Sequence, residues 1–342
     1  MKAKKVYVAM SGGVDSSVAA ALLKKRGFNV VGVFMKPWQP KTGSFCLWKQ
    51  DREDAMRAAS VLDIPFLTWD FSKQYKKSVT DYMIREYKAG RTPNPDVMCN
   101  KEIKFGLFFN KAIKAGADFI ATGHYVRAKN GKLFVAKDKN KDQSYFLWTL
   151  KKNIVQKCLF PIGEYAKPEV RRMAKQFGLP NHAKKDSQGV CFIGPLDMKD
   201  FLKSHIKPKP GKIIDNSNQQ VGTHDGIFYY TIGQRHGLNI TRGRGPYLVI
   251  AKDKKRNILF VGTEKELLSD KTRVGNISWV NGTIKLPTNL SIRLRYRAGL
   301  KKALLGKDGN LMLKNPERAI TEGQSAVFYR GSEMLGGGII TN

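Results

Sequence analysis

The spacing of apolar residues changes along the chain. Up to about residue 205, short apolar runs alternate with longer stretches in which apolar residues recur every three or four positions. The short runs are typical of buried strands, and the longer stretches of amphipathic helices. The predicted strands are 6–10, 29–35, 65–69 and 118–122, and the predicted helices are 17–27, 50–62, 72–88, 101–114, 168–177 and 195–206. This alternation predicts an α/β fold with a doubly wound parallel sheet, in which ligands bind beyond the carboxyl ends of the strands.

After a Pro-rich linker at 207–211, the helical spacing nearly disappears, and short apolar runs alternate with turns that contain Gly, Asn and Asp. The strands predicted there are 227–232, 246–252, 258–261, 274–280, 291–297, 311–313, 325–329 and 335–340, with a hairpin turn at 307–310. Two small, mainly β domains are therefore expected after the α/β domain. We predict domain boundaries at 1–206 (α/β), 207–268 (central, β-rich) and 269–342 (C-terminal, barrel-like).

The charge of the chain is strongly unbalanced. Lys and Arg number 61 against 28 Asp and Glu, which gives a formal net charge of +33. A field of this sign attracts polyanions, so nucleic acid is the leading class of partner. A lysine-rich proteome would produce the same excess, and both explanations stay open for its size.

Neither a membrane span nor a targeting peptide is predicted. No apolar run is long enough for a transmembrane helix, and the first strand begins near residue 5, which leaves no room for a leader. We expect a cytoplasmic protein that does not associate with membranes.

A glycine turn, residues 11–16 (Ser-Gly-Gly-Val-Asp-Ser), connects the first strand to the first helix. Gly12 and Gly13 let the backbone turn sharply, and the free N–H groups of the helix start favour a phosphate. The serine hydroxyls add donors, and Asp15 is placed to hold Mg²⁺ against the phosphates. The alternative is an ordinary Gly-Gly turn with Ser and Asp caps. The turn is neither a Walker loop nor a Gly-x-Gly-x-x-Gly loop; it resembles the PP-loop of the ATP pyrophosphatases, whose sheet is Rossmann-like.

The four cysteines, Cys46, Cys99, Cys158 and Cys191, form no Cys-x-x-Cys pair, which argues against a structural zinc or iron–sulfur site. Cys99 and Cys191 follow polar residues in predicted loops, where a nearby lysine would lower a thiol pKa. The nearby lysines are Lys101, Lys104, Lys184 and Lys185. Buried packing is the alternative for both cysteines and the favoured interpretation for Cys158, while the role of Cys46 stays open.

Eleven segments, in order and with similar spacing, resemble the tRNA-specific 2-thiouridylases. They are 11–16, 34–36, 90–96, 99–101, 121–125, 142–147, 185–187, 191–194, 233–235, 295–297 and 323–329. The resemblance implies a tRNA sulfurtransferase that uses ATP and Mg²⁺. ATP would adenylate the 2-carbonyl oxygen of the wobble uridine, and a cysteine persulfide would then supply sulfur.

The same resemblance implies roles for individual residues. Cys191 would carry the persulfide, and Cys99 would release its sulfur or close a disulfide with Cys191. Asp96 would transfer a proton; the alternative is an Asx cap on the helix that follows. The implied ATP-binding residues are Ala9, Met10, Ser11, Gly12, Gly13, Val14, Asp15, Ser16, Met35 and Gly123. The implied tRNA-binding residues are Asn94, Pro95, Asp96, His124, Lys141, Asp142, Gln143, Arg295, Tyr296 and Gln324.

Three of these assignments have plainer interpretations from the residues alone. Met35 is the end of a buried strand, and 141–143 is an ordinary solvated turn. The alternation of Arg293, Arg295 and Arg297 predicts that all three share one strand face, which suits RNA phosphates but also describes a solvated face.

The implied partners are tRNA, bound through its anticodon arm, and a sulfur donor protein, either a relay protein or a cysteine desulfurase. Two alternatives compete with this hypothesis. A PP-loop synthetase that acts on a small substrate would explain the glycine turn but not the two loop cysteines or the β domains. A basic RNA-binding protein without catalysis predicts RNA affinity that is independent of ATP and of both cysteines.

Overall fold

The computed structural model describes residues 3–39, 47–186, 198–242 and 245–341. Its strands are β1 (Lys5–Ala9), β2 (Asn29–Lys36), β3 (Phe66–Asp70), β4 (Phe119–Thr122), β5 (Arg127–Lys129), β6 (Lys132–Phe134), β7 (Cys158–Leu159), β8 (Gly211–Ile214), β9 (Gln220–His224), β10 (Leu248–Asp253), β11 (Ile258–Gly262), β12 (Leu268–Trp279), β13 (Thr288–Arg293), β14 (Lys301–Leu305), β15 (Asn310–Arg318), β16 (Ser325–Arg330) and β17 (Glu333–Thr341). Its α-helices are α1 (Val14–Lys25), α2 (Leu47–Val61), α3 (Ser72–Tyr75), α4 (Asp81–Lys88), α5 (Pro95–Met98), α6 (Phe109–Lys114), α7 (Lys152–Val155), α8 (Lys167–Gln176) and α9 (Met198–Lys203).

The first region contains a parallel sheet with the strand order β3-β2-β1-β4-β7 among the described residues. β1 lies in the centre, and Val8 is in register with Gly32 of β2 on one side and Ala121 of β4 on the other. Alternate residues of β1 pack into different cores because helices cover both faces of the sheet. The doubly wound prediction is confirmed, and the strand order reverses between β1 and β4, where such sheets bind ligands.

Two helical stretches contain π-helical turns. α3 continues through Lys76–Thr80 into α4, and α5 continues through Cys99–Phe108 into α6. The second stretch begins at Pro95, six residues before the predicted start at 101. The reason is local: the Asn94 side chain accepts a hydrogen bond from the Val97 N–H (3.3 Å), and proline suits the first turn of a helix.

The β region after residue 211 forms two sheets. One has the order β10-β11-β8-β9. In the other, β12-β15-β14-β13-β16-β17 closes through a β12–β17 pairing into a six-stranded barrel, as predicted. The β5–β6 hairpin of the first region extends this sheet, with Leu133 opposite Met334, so the barrel is joined to the α/β region by backbone pairing.

Two strand predictions are wrong. The stretch 227–232 contains a 3₁₀ turn, Ile227–Tyr229, after Gly226, whose φ of +149° breaks extended structure. The strand predicted over 291–297 ends at Arg293, and Arg297 has a φ of +64°. Within the described ranges, no helix is both long and apolar enough to cross a bilayer.

Lys252 lies on β10 of the sheet β10-β11-β8-β9, called here the central sheet. Its Nζ donates to the Gly90 carbonyl just after α4 (3.0 Å) and so connects the central sheet to the α/β region. Burial, with help from Lys254 and against the attraction of Glu322, lowers the pKa of Lys252 to about 8. Because the unfolded pKa is higher, the folded state disfavours the cation, and this penalty disappears as the pH rises from about 8 to the unfolded pKa.

We therefore expect the free energy of unfolding of the wild type to rise by about 2 kcal/mol, relative to a Lys252→Met variant, between about pH 7.5 and about pH 10. Urea unfolding of both proteins at the two pH values measures this. If the free energies of unfolding of the two proteins change by the same amount between these pH values, the lowered pKa of Lys252 is contradicted.

Candidate active site

The glycine turn lies at the carboxyl end of the central strand. Gly12 has a φ of +77°, and a Cβ there would overlap the carbonyl oxygen of Asp51 in α2. Gly13, at the N-cap of α1, is extended (φ −84°, ψ 160°) and provides no side-chain cap. The turn therefore requires glycine, and α1 begins with backbone N–H groups available to an anion.

Hydrogen bonds within the turn hold its shape. The Ser11 N–H donates to Ser16 Oγ (3.1 Å), and the hydroxyls of Ser16 and Ser17 each donate to the Gly13 carbonyl (3.1 Å). Asn181 Nδ2 donates to the Gly12 carbonyl (2.9 Å) from outside the turn. The shape of the turn is thus supported by the chain's own hydrogen bonds.

The other predicted ATP-binding residues lie at the same sheet edge. Gly123 follows β4, and a Cβ there would lie 2.6 Å from the Ser16 nitrogen, so only glycine allows this approach to α1. Met35, near the end of β2, is half-buried and in register with Trp69. Ala9 and Met10 lead into the turn and are buried.

Asp15 has protein partners on both carboxylate oxygens. Lys167 Nζ donates to Oδ1 (2.7 Å) and Oδ2 (2.8 Å), and the Tyr125 hydroxyl donates to Oδ1 (2.9 Å). Mg²⁺ at nucleotide sites is commonly held by one or two carboxylates together with substrate phosphates. The contact between Asp15 and a phosphate-bound Mg²⁺ stays a prediction.

A second carboxylate, Asp186, forms ion pairs with three cations beside the turn. Asp186 accepts from Lys141 (2.6 Å) and Arg171 (2.7 Å) and pairs with Lys167 (2.9 Å). Burial opposes its ionisation, but the hydrogen bonds from Lys141 and Lys167 hold the pKa of Asp186 well below its usual range. Lys141, Lys167 and Arg171 are thus all paired with carboxylates beside the glycine turn, as is Lys184 with Asp51 and Asp54.

Cys99 lies in a helix and not in a polar loop, which corrects the sequence-based expectation. It is 6% exposed and packs in the main apolar core. Burial raises the pKa of the Cys99 thiol, and Lys104 only partly offsets this effect. Lys101 pairs with Glu102 (3.0 Å), and Lys184 with Asp51 and Asp54 (2.7 Å each). Desolvation therefore raises the pKa of the Cys99 thiol by more than the positive charge of Lys104 lowers it, which is contrary to the activation expected from nearby lysines.

Asp96 lies one helical turn before Cys99. Burial raises the pKa of Asp96, and Lys104 acts in the opposite direction. The cap alternative is wrong, because Asn94 caps this helix. A carboxyl group with a raised pKa is suited to general acid–base chemistry. Cys191 and Cys46 lie outside the described residues, and Cys158 is buried in the core as predicted.

His124, a predicted RNA contact, is 6% exposed and hydrogen-bonded through Nδ1 to the Thr122 hydroxyl (2.8 Å). Burial, together with Lys104, lowers the pKa of His124 well below its usual value. The imidazole is therefore neutral, and its ring packs beside Phe105 and Phe160.

The segment 141–143 is not a solvated turn. Asp142 is 1% exposed, and its Oδ2 accepts from Arg293 (2.7 Å). The Gln143 side chain accepts from the Tyr125 N–H (2.9 Å). These side chains hold the segment between the sheet edge and the barrel.

The three arginines at the end of β13 and directly after it do not share a face. Arg293 turns inward to Asp142, whereas Arg295 and Arg297 are exposed beyond the end of the strand. The Arg295 guanidinium donates to the Ala319 carbonyl (3.2 Å), and Tyr296 packs on Phe146 at 4.5 Å between ring centroids. Gln324 donates to the carbonyls of Thr92 (2.9 Å) and Pro93 (3.1 Å).

Family models match nearly the whole chain. They are described as a tRNA methyl transferase HUP domain (residues 4–195), a tRNA methyl transferase PRC-barrel domain (199–263) and an aminomethyltransferase beta-barrel domain (269–340). The tRNA-specific 2-thiouridylases MnmA of Bacillus licheniformis and Bacillus subtilis are each 45% identical, over 98% of this chain and 94% of each relative. The chain belongs to the tRNA-specific 2-thiouridylase family.

A further family member, the 2-thiouridylase MnmA 2 of Geobacillus kaustophilus, is 46% identical over 98% of this chain and 94% of its own length. Among solved structures, the U34-tRNA thiolase NcsA of Methanococcus maripaludis matches 55% of this chain and 60% of its own, with 19% identity and a TM-score of 0.37. Family membership confirms the resemblance inferred from the eleven segments.

Sequence reasoning missed Lys167 and Asn181, which contact the glycine turn. Lys167 carries one signal, its place directly before Pro168 at a helix start. Nothing in the sequence distinguishes its charge from that of the other lysines, and Asn181 lies far from the turn along the chain.

Proposed function

We propose that this chain replaces the 2-oxygen of the wobble uridine of tRNA with sulfur, in an ATP-dependent reaction. The observation that carries the proposal is the 45% identity to 2-thiouridylases over 98% of the chain. The glycine turn at the start of α1 and the helix that carries Asp96 and Cys99 agree with this activity.

The residues at the sheet edge fit a nucleoside triphosphate. The N–H groups of α1 would bind its phosphates, with the Ser11 hydroxyl as a further donor, because the hydroxyls of Ser16 and Ser17 already donate to the Gly13 carbonyl. Lys141, Lys167 and Arg171 lie beside the glycine turn, each paired with a carboxylate, and the backbone at Met35 and Gly123 would meet the adenine. ATP, when bound, supplies an adenylyl group that turns the uridine 2-oxygen into a leaving group.

Two cysteines and one carboxyl would carry out the sulfur transfer. The terminal sulfur of a Cys191 persulfide would attack C2 of the uracil and displace AMP. The Cys99 thiolate would then attack the inner sulfur of Cys191, forming a Cys99–Cys191 disulfide and leaving the thiocarbonyl on the base. The two thiols thereby supply the two electrons that reduce the transferred sulfur, and an external thiol resets the pair. Alternatively, Cys99 attacks the persulfide first and frees sulfide. Asp96 would hold or move the proton at the base.

The raised pKa of the Cys99 thiol affects when this residue can attack Cys191. The residue is largely protonated until something lowers the desolvation penalty or brings a positive charge closer. If the Cys99 thiolate forms only after the substrate has bound, the Cys191 persulfide is protected from attack until then. The sulfur donor would be a protein, either a relay protein or a cysteine desulfurase, and the exposed Arg295 and Arg297 would meet the anticodon arm.

We expect Cys99→Ser and Cys191→Ser to lower thiolation of unmodified tRNA by at least about a hundredfold while leaving AMP formation in place, because adenylation precedes sulfur transfer. Cys158→Ala is the matched control, since this buried cysteine has no place in the reaction, and it should thiolate like the wild type. Retardation on a mercury-containing gel measures thiouridine, and labelled ATP measures AMP.

The outcomes separate the steps of the proposal. If both serine variants thiolate tRNA from a persulfide donor as well as the wild type does, the two cysteines have no role in the transfer. If the wild type binds tRNA but never forms AMP, the ATP-dependent activity is wrong.

A further inference from the structure

The loop at residues 90–94, called here the junction loop, joins α4 to the helix that carries Asp96 and Cys99. The barrel holds this loop at two points. The Thr92 N–H donates to the Glu322 carbonyl (2.9 Å), and Gln324 Nε2 donates to the carbonyls of Thr92 (2.9 Å) and Pro93 (3.1 Å).

The central sheet holds the junction loop from another side. Lys252 Nζ donates to the Gly90 carbonyl (3.0 Å), and the hydroxyls of Thr92 and Thr231 lie 3.4 Å apart. A loop of five residues is thus connected to both β regions, although it belongs to the α/β region.

Gln324 is itself firmly held. Its N–H donates to the Thr321 carbonyl (3.2 Å), and its carbonyl accepts from the Ile340 N–H of β17 (2.8 Å). Gly323 beside it has a φ of +91°, and a Cβ there would lie 2.9 Å from the Thr92 oxygen. The barrel therefore touches the junction loop backbone directly, at a position where a side chain would not fit.

The side-chain amide of Gln324 has two N–H donors, and the two loop carbonyls use both. Only its carbonyl oxygen is left to accept a hydrogen bond from RNA, the role predicted from the sequence. The amide nitrogen points instead at the loop that leads to Asn94, the helix cap, and to Asp96 two residues later.

We propose that Gln324 is a positioning residue, which holds the junction loop so that Asp96 and Cys99 stand in the geometry needed for sulfur transfer. The inference rests on the proposed function. Its physical basis is that Gln324 links the barrel, which presents Arg295 and Tyr296, to the start of the helix with the reacting groups. Loss of both donors leaves two carbonyls without these partners, and a displacement of about 1 Å in a reacting group costs about a hundredfold in rate.

The test compares Gln324→Met, which keeps the size but removes both donors, with Gln324→Lys, which retains donors for the loop carbonyls. We expect Gln324→Met to lower kcat for thiolation by about tenfold to a hundredfold, with the Kd for tRNA within about threefold of wild type. Gln324→Lys should recover most of kcat. Gln219→Met, at an exposed glutamine of the central β region, is the matched control.

A readout without substrate completes the test. Amide hydrogen exchange of residues 91–98 should be faster by about tenfold in Gln324→Met than in wild type, without ATP or RNA, because the loop opens more often. A thermal unfolding curve for each variant establishes that it is folded.

Three outcomes overturn the inference. One is a Kd weakened by more than about tenfold with kcat unchanged, which makes Gln324 an RNA contact only. The second is unchanged kcat with unchanged exchange. The third is a Gln324→Lys variant as slow as Gln324→Met. If the wild type itself does not thiolate tRNA, the proposed function fails, and unchanged exchange would then overturn the positioning role separately.

Discussion

Gly12→Ala is expected to lower tRNA-dependent AMP formation by at least about a hundredfold, because the phosphate-binding turn can no longer take its shape. The new methyl group would overlap the carbonyl oxygen of Asp51, which is backbone and cannot rotate away. The φ of +77° adds strain for any residue other than glycine. Either the turn or α2 must move to remove this overlap. A movement of the turn displaces the N–H groups at the start of α1, which would bind the phosphates.

Gly27→Ala is the matched control for this prediction. Gly27 has a φ of +81°, the same conformational class, but a Cβ there would meet nothing within 4 Å. It should lose about 1 kcal/mol of stability and keep its rate of AMP formation. Equal losses of activity in the two variants would show that backbone strain, and not the contact with Asp51, is responsible.

Asp142→Ala is expected to lower the free energy of unfolding by about 3–5 kcal/mol, because it leaves the buried Arg293 guanidinium without its carboxylate. The two side chains are 0% and 10% exposed, and their ion pair is 2.7 Å long. Asp142 also accepts from the Ala136 N–H (3.1 Å) and the Ser144 hydroxyl (2.8 Å), so several donors lose a partner at once.

Two comparisons test the reason for this loss, each by urea unfolding. Asp81→Ala removes an exposed pair with Lys76, whose side chains are 44% and 50% exposed, and should cost at most about 1 kcal/mol. The double variant Asp142→Leu/Arg293→Met removes both buried charges and should recover much of the stability lost by Asp142→Ala. A double variant that is no more stable than the single one would contradict the explanation by an unpaired charge.

The parallel sheet, the glycine turn and the β-rich character of the C-terminal region were all predictable from local signals. Apolar runs marked β1, β2 and β4, and Ser11–Ser16 identified the turn at the edge where those strands end. The hairpin around Gly309 followed from the turn residues Lys-Asp-Gly-Asn. Such signals depend on neighbours within a few residues, and that range is sufficient for them.

The environment of the reacting groups was less predictable. Cys99 was expected on a polar loop with a lysine-lowered pKa, but the Asn94 cap starts the helix early and places the thiol in the core. Arg293 was expected beside Arg295 on a strand face, but it pairs with Asp142, a residue 151 positions away in sequence. Both errors arise because burial and long-range pairing depend on which segments the fold brings together.

The sequence by itself determined the family, the strand–turn–helix that would bind phosphate, and the division between α/β and β regions, because short-range patterns encode these features. Only the tertiary structure decided that Lys167 takes both oxygens of Asp15, that desolvation raises the pKa of Cys99, and that Gln324 holds the junction loop. Each of these depends on contacts between residues tens to hundreds of positions apart, and the energy of a charge or a hydrogen bond is set by its partner and its solvent exposure.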